Sequence, residues 1–554
     1  MPRMSGKQAL VEQLVADGIR YVFGNPGTTE QAFMDLLQDY PQLEFILCLH
    51  EGVAVSMADT FARATRKPAF VELHIAPGLG NAGGMLFNAK SAHTPLVVYA
   101  GQGSSRAMFQ EPHLSGDLVG IAGPVTKWAY EINHAADVPQ AVRRAFKVAE
   151  EAPQGPVVLS IPMDVLDEKA DVVVQPTGYT RWRAHPDPAA MDEVADLLAG
   201  SRRPMLLVGD GVALSDGQEE VARLAELLGA PIYQGYSTEV NVATDHSLFS
   251  GTLPFTSMSA PEVTSRLLAR HDVLLVVGTP LFRFIFPRPG SILPDGLRVI
   301  HIDLDGWEIG KNQPGVLGIR ADCRAALSAL LERLESRPPA AAAERAAAIA
   351  SEHRRRREQA LSNDRQRWGD TPISVPRLMG ELAQLLPPEA VMFDEATTGS
   401  QILARYVTPR PGRYFRARGG GIGPGLPGAV GVKLAMPERP AVGVVSDGAA
   451  MYGISALWTA AHHRVPVTWV ICNNASYRIL KENVMDYLGP AHVNRRFVAL
   501  DLTDPPLRYD RIAESMGVHG RRVERPDEIR PALEEAFGLG APALVDVVIE
   551  GAVR

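Results

Sequence analysis

The sequence predicts an α/β protein made of three doubly wound domains, each with its own parallel sheet. Three observations predict it. Short apolar runs alternate with helix-forming stretches over nearly all of the 554 residues, the pattern of parallel sheets covered by helices. Two polar, proline-bearing stretches break that rhythm and leave three blocks. The length itself suggests about three domains at roughly 100–200 residues apiece.

The first block runs over residues 1–175. Leu10, Val11, Leu14 and Val15 recur at helical spacing, and Gly18 can close that helix. Strands are expected at 19–23, 45–49, 69–73, 96–100 and 157–161. A linker is expected at 176–188. The second block, 189–335, shows strands at 205–208, 273–277 and 299–302. Segment 336–370 then joins the second block to the third. Its stretch 340–357 is rich in Ala, Glu and Arg and predicts a solvated helix, and the basic run Arg354 to Arg357 reads as its surface. The third block, 371–554, has strands expected at 390–393, 441–445, 467–471 and 543–549.

Composition excludes several classes. Hydrophobic residues make up 46% and charged residues 21%, which is ordinary globular material. The net charge of −8 comes without a basic stripe, so no nucleic-acid partner is expected. Cys48, Cys323 and Cys472 form no disulfide or zinc spacing. No apolar run is long enough for a membrane span and no signal-peptide core stands at the N-terminus. A cytoplasmic enzyme of small molecules is the expectation.

The most informative segment is 440–476, PAVGVVSDGAAMYGISALWTAAHHRVPVTWVICNNAS. One buried strand ends at Ser446-Asp447-Gly448 and a second at Asn473-Asn474. Parallel sheets bind ligands at the carboxyl ends of their strands, so Asp447 and Asn474 arrive at one edge, 27 residues apart. Oxygen ligands of this kind suit Mg²⁺, which keeps few protein ligands beside phosphate oxygens. Gly448 allows close approach of a phosphate, and the helix behind it favours the anion. Gly209-Asp210-Gly211 also follows an apolar strand, but no Asn pair follows it. Asp210 therefore reads as turn chemistry. His462 and His463 lie on the helix after Asp447 and read as structural.

The Asp-Gly and Asn-Asn pair resembles the motif of thiamine diphosphate-dependent enzymes, with Ser446 where the family usually has Gly. The resemblance covers essentially the whole chain and is similar to the benzoylformate decarboxylase branch, with acetolactate synthase-like proteins nearby. It is carried by VFGNPGTTE (22–30), LHEGVAVSMADTFARA (49–64), GTPLFRF (278–284) and GIGPGLPGAVGVKLA (421–435). It implies a pyrimidine-binding first domain, a central domain and a diphosphate-binding third domain. Mg²⁺ is then held by Asp447, Asn474 and the Ser476 carbonyl, and the diphosphate lies over Gly448, Ala449, Thr397 and Thr398, with Tyr477 beside them. Asn25, Pro26 and Gly27 pass beside the pyrimidine. Gly420 offers its carbonyl to the 4′-amino group, and Ile422 props the cofactor into its bent shape.

Glu51 opens an apolar helix after a buried strand, and burial disfavours a lone carboxylate. The resemblance implies that it shares a proton with the pyrimidine N1′ and so drives formation of a C2 ylid. His74 matches an active-site histidine, a residue suited to proton work near neutrality. Thr28 stands where a serine meets the substrate carboxylate.

The chain departs from the branch at Ile285, where a second histidine is usual. Ile479, Leu480 and Asn483 fall where an aryl pocket is expected, and Arg416 and Arg418 bring positive charge near the cleft. The expected activity is decarboxylation or C–C lysis of a 2-oxo acid. Carboligation of the acetolactate type, 2-hydroxyacyl-CoA cleavage and a non-catalytic cofactor-binding regulator are the alternatives. No FAD is expected in the central domain. A homodimer, or a tetramer of two such dimers, is implied.

Overall fold

The computed structural model describes residues 2–178, 183–489, 491–494, 496–551 and 553. Positions 179–182 of the expected linker lie outside the described residues. Three six-stranded parallel sheets follow one another along the chain.

The first sheet contains β1 (Tyr21–Asn25), β2 (Glu44–Leu47), β3 (Ala69–Leu73), β4 (Leu96–Gln102), β5 (Trp128–Glu131) and β6 (Val157–Pro162). Its order is β2-β1-β3-β4-β6-β5. The central sheet contains β7 (Pro204–Val208), β8 (Ile232–Gln234), β9 (Phe249–Thr252), β10 (Val273–Val277), β11 (Arg298–Asp303) and β12 (Val316–Arg320), in the order β9-β8-β7-β10-β11-β12. The third contains β13 (Val391–Glu395), β14 (Tyr414–Arg416), β15 (Ala441–Ser446), β16 (Val467–Asn473), β17 (His519–Val523) and β18 (Ala543–Val548). Its order, β14-β13-β15-β16-β18-β17, repeats that of the first sheet strand for strand. Strands such as β3, β4, β10 and β16 are buried along their whole length. That is why they read as continuous apolar runs rather than alternating ones.

Six helices position the site. They are α1 (Glu51–Thr65), α2 (Ile75–Ser91), α3 (Ala342–Gln366), α4 (Ser400–Tyr406), α5 (Gly425–Ala435) and α6 (Arg478–Leu488). α1 starts where His50 Nδ1 accepts the Gly52 amide at 3.0 Å. It stops where Arg66 turns left-handed at φ 56°. The joining helix α3 runs further than expected, to Gln366, because nothing in 358–366 breaks it.

The first and third domains share one core. Val53 and Met57 of α1 pack in the same cluster as Leu426 and Val430 of α5. The two helices touch backbone to backbone, and a Cβ on Gly431 would lie 2.3 Å from the Met57 carbonyl oxygen. His463 adds a polar tie between these domains by accepting the Leu47 amide at 3.0 Å. Burial lowers its pKa to about 4, so it stays neutral. The central sheet keeps separate cores, one around Leu206, Leu275 and Ile300 and another around Met205 and Leu274.

Gly431→Ala is expected to lower the thermal midpoint, although alanine favours a helix by about 1 kcal/mol over glycine. Forcing the two helices apart costs about 1–3 kcal/mol. Thermal denaturation measures the balance, and a midpoint at or above the parent's would contradict the close packing.

Candidate active site

Two groups of side chains gather at carboxyl edges of the outer sheets. The first forms around Glu51, which is only 6% exposed. Asn25, at the end of β1, donates to Glu51 Oε1 at 3.4 Å, and Asn81 of α2 donates to Oε2 at 3.1 Å. His74 ends the turn after β3. Its Nδ1 lies 2.8 Å from Glu30 Oε2, which also accepts the Gly27 amide at 3.0 Å. A Cβ on Gly27 would sit 2.2 Å from the His74 ring, so no other residue fits against it. Behind these groups lies Glu72, wholly buried with no hydrogen-bond partner on either oxygen. Burial first, then the charges of Glu30 and Glu51, push its pKa well above the ordinary range and favour the protonated form.

The second group forms around Asp447, 1% exposed at the end of β15. Its Oδ1 accepts the Gly448 amide at 2.9 Å and its Oδ2 the Ser476 amide at 3.2 Å. Tyr509 donates to the Asp447 carbonyl at 2.7 Å. Burial outweighs these bonds and raises the Asp447 carboxyl to about 6. Asn474 Oδ1 is buried nearby without a partner. Thr397 and Ser446 join hydroxyls at 3.0 Å, and the Tyr477 ring lies where a Cβ on Gly448 would fall.

The loop carrying Gly420 and Ile422 is pinned from both domains. Asn88 of α2 receives the Gly421 amide at 3.0 Å and donates to its carbonyl at 2.8 Å. Glu395 accepts the Gly423 and Gly425 amides at 2.8 and 2.6 Å. Burial raises its carboxyl to about 7. Gly420 itself has φ +95°, a conformation that side chains disfavour.

Three non-glycine residues in these groups have left-handed φ: Ile75 at 47°, Thr397 at 54° and Ala475 at 51°. Each is held there against a cost of about 1–3 kcal/mol. For the β-branched Ile75 and Thr397 this is a real outlier, and such outliers gather at working sites.

Two kinds of chemistry are available. A buried carboxylic group with amide donors can hold and release a proton. A buried carboxylate beside an unpartnered amide oxygen can coordinate a divalent cation.

The comparisons decide between readings of this geometry. Family models for the thiamine pyrophosphate enzyme match three segments: the N-terminal TPP binding domain over residues 4–115, the central domain over 191–330 and the C-terminal TPP binding domain over 396–547. Benzoylformate decarboxylase of Pseudomonas aeruginosa is 35% identical over 547 residues, covering 97% of this chain and 98% of that one. The chain belongs to the thiamine pyrophosphate enzyme family.

Sulfoacetaldehyde acetyltransferase of Rhodobacter capsulatus, also similar, is 30% identical over 99% of this chain and 94% of that one. The solved thiamine diphosphate-dependent 4-hydroxybenzoylformate decarboxylase of Rhodococcus jostii superposes with a TM-score of 0.85. It is 29% identical and covers 99% of this chain and 100% of that one. This thiamine pyrophosphate enzyme therefore has the expected fold of three doubly wound parallel sheets and uses thiamine diphosphate. Its residues fit that cofactor and a divalent ion beside it: the buried Asp447 carboxylate and the unpartnered Asn474 Oδ1 are oxygen ligands of the kind such an ion takes. No helix is long and apolar enough to cross a membrane among the described residues.

The structure corrects one reading and supplies the surroundings of two other residues. Asp210 is no simple turn residue. It is 3% exposed and opens a helix, where it accepts the Thr238 amide and pairs with Arg418 at 2.7 Å. The positive charge of Arg416 is already paired: its Nε meets Asp394 at 3.3 Å and its guanidinium lies over the Tyr236 ring. Thr28 is exposed, and the hydroxyl beside His74, 3.4 Å from its Nδ1, belongs to Thr29.

Ile285 is exposed, in the loop whose Phe286 ring meets Tyr487 of α6 at 5.8 Å. Ile479, Leu480 and Asn483 lie on that same helix, so the expected pocket residues share one rim. Sequence reasoning missed Glu30, Asn81, Glu395 and Tyr509. Only Glu30 carried a signal, a glutamate three residues after Gly27 at capping-box spacing.

Proposed function

We propose that this protein is a thiamine diphosphate- and Mg²⁺-dependent decarboxylase or C–C lyase of a 2-oxo acid. The observation that carries it is Glu51, a buried carboxyl group held by Asn25 and Asn81 beside His74. The bound cofactor supplies a nucleophilic carbon and an electron sink.

The chain's own residues do the rest. Glu51 takes and returns a proton at the aminopyrimidine N1′. Glu30, bound at His74 Nδ1, sets that nitrogen as the donor, which leaves Nε2 to exchange a proton with the substrate oxygen. Asp447, Asn474 and the Ser476 carbonyl hold Mg²⁺. Gly448, Ala449, Thr397 and Thr398 cradle the diphosphate. The pinned loop presents Gly420 and Ile422. Thr28 and the rim of Ile285 and α6 face the substrate. Ile285 moves no proton, which leaves His74 as the histidine of the pocket.

The working unit is a dimer. No hydrogen bond among the described residues joins the Glu51 group to the Asp447 group. Exposed apolar residues flank each, with Leu49 beside the first and Met451 and Tyr452 beside the second.

The test is a panel of 2-oxo acids with thiamine diphosphate and Mg²⁺, read as CO₂ and aldehyde. Carboligation products from pyruvate would replace this reading with an acetolactate synthase-like one. Cleavage of a 2-hydroxyacyl-CoA would replace it with a lyase of thioesters. No turnover in any of these assays would leave a cofactor-binding regulator.

A further inference from the structure

A groove of about 710 Å³ lies between the central sheet, α3 and the third domain, and the chemistry above uses none of it. Its floor is apolar and aromatic, with Tyr233, Phe249 and Ile349 among its lining. Its rim carries more arginine than carboxylate, with Glu239 and Glu352 as its acidic members. Arg270, Arg356 and Arg357 all line it. Arg270 and Arg357 have no hydrogen-bond or ion-pair partner among the described residues. Arg356 must share Glu352 with Arg355, at 2.5 and 2.8 Å. Two members of the basic run of α3, Arg356 and Arg357, thus line a cavity as well as meeting solvent. Guanidinium groups that line one groove from two elements suit a phosphate group, which accepts several charge-assisted bonds at once.

The groove also reaches the back of the diphosphate half-site. Ser400 and Arg416 line it. Both bind Asp394, Ser400 Oγ at 2.8 Å and Arg416 Nε at 3.3 Å. The Asp394 carboxylate fixes the start of the turn that carries Thr397 and Thr398 by accepting the Ala396 amide at 2.9 Å.

We propose that this groove binds a small organic phosphate, its phosphate on Arg270, Arg356 and Arg357 and its apolar body on Tyr233, Phe249 and Ile349. The inference is independent of the substrate assigned above.

Phenyl phosphate is a suitable probe, titrated by calorimetry into holoenzyme saturated with thiamine diphosphate and Mg²⁺, so that the diphosphate cradle is already filled. Phenyl phosphate should bind at least about tenfold more tightly than phenol. The double variant Arg270→Ala/Arg357→Ala should weaken it at least about tenfold, with the thermal midpoint and cofactor affinity of the parent. The charge-keeping Arg270→Lys/Arg357→Lys variant should retain most of the affinity, which guards against a merely unfolded alanine variant. Binding no tighter than phenol's, or binding unchanged in the alanine variant, overturns the proposal.

Discussion

Glu51→Gln should lower turnover by about 10²- to 10⁴-fold, the range that one positioned proton-transfer group supplies. Glutamine keeps the length of the side chain and an oxygen for Asn25 or Asn81. What it loses is the ability to take up and return a proton. The variant should keep the parent's thermal midpoint and bind thiamine diphosphate, so the loss falls on kcat rather than on folding. Exchange of the C2 proton of the bound cofactor with deuterium, followed by NMR, should slow in parallel. Turnover within about tenfold of the parent would remove Glu51 from the chemistry.

Asp447→Asn should weaken Mg²⁺-dependent cofactor binding by roughly 10²- to 10³-fold, matching the few kcal/mol lost when a buried charge pair is broken. Calorimetry or a cofactor-dependent thermal shift measures it. The parent carries a pH signature of the same carboxyl. Its pKa in the metal-free fold is raised to about 6, so its protonated form is the favoured one. The corresponding stability is complete below the ordinary aspartate range near 4 and is lost as pH rises through 6. A metal ion must displace that proton. Apparent Mg²⁺ affinity should therefore fall about tenfold per pH unit below 6 and level off above it. The asparagine variant should lose this slope. A flat profile in the parent would show that another group holds the ion.

Much of this site was legible in the sequence because each half sits at the end of an unbroken apolar run. β15 and β16 are buried along most of their length, so their ends at Asp447 and Asn473 stand out in the sequence. The same holds for His74, which follows the wholly buried β3, whereas β2 is only part-buried and Glu51 stood out as the lone acid opening the apolar helix α1. Asp210 misled because an Asp-Gly after a strand reads alike whether it caps a turn or anchors another domain. Its partners, Thr238 and Arg418, are remote in sequence. Arg416 was opaque for the same reason, since a guanidinium's partner is chosen by tertiary packing. Glu395 and Asn81 left no trace, because one bonds backbone amides of a distant loop and the other depends on helix phase.

The shared core of the outer domains has a kinetic consequence. α1 is synthesised early and α5 some 360 residues later, yet each covers the other's apolar face. Until the last third of the chain emerges, the face of α1 that packs on α5 has no permanent cover. Nascent protein must travel with that stripe exposed, in the regime where long-range contacts slow folding and invite aggregation or chaperone capture. Amide protection in α1 during synthesis should accordingly lag behind that of the self-contained central sheet, as hydrogen exchange on stalled chains would reveal.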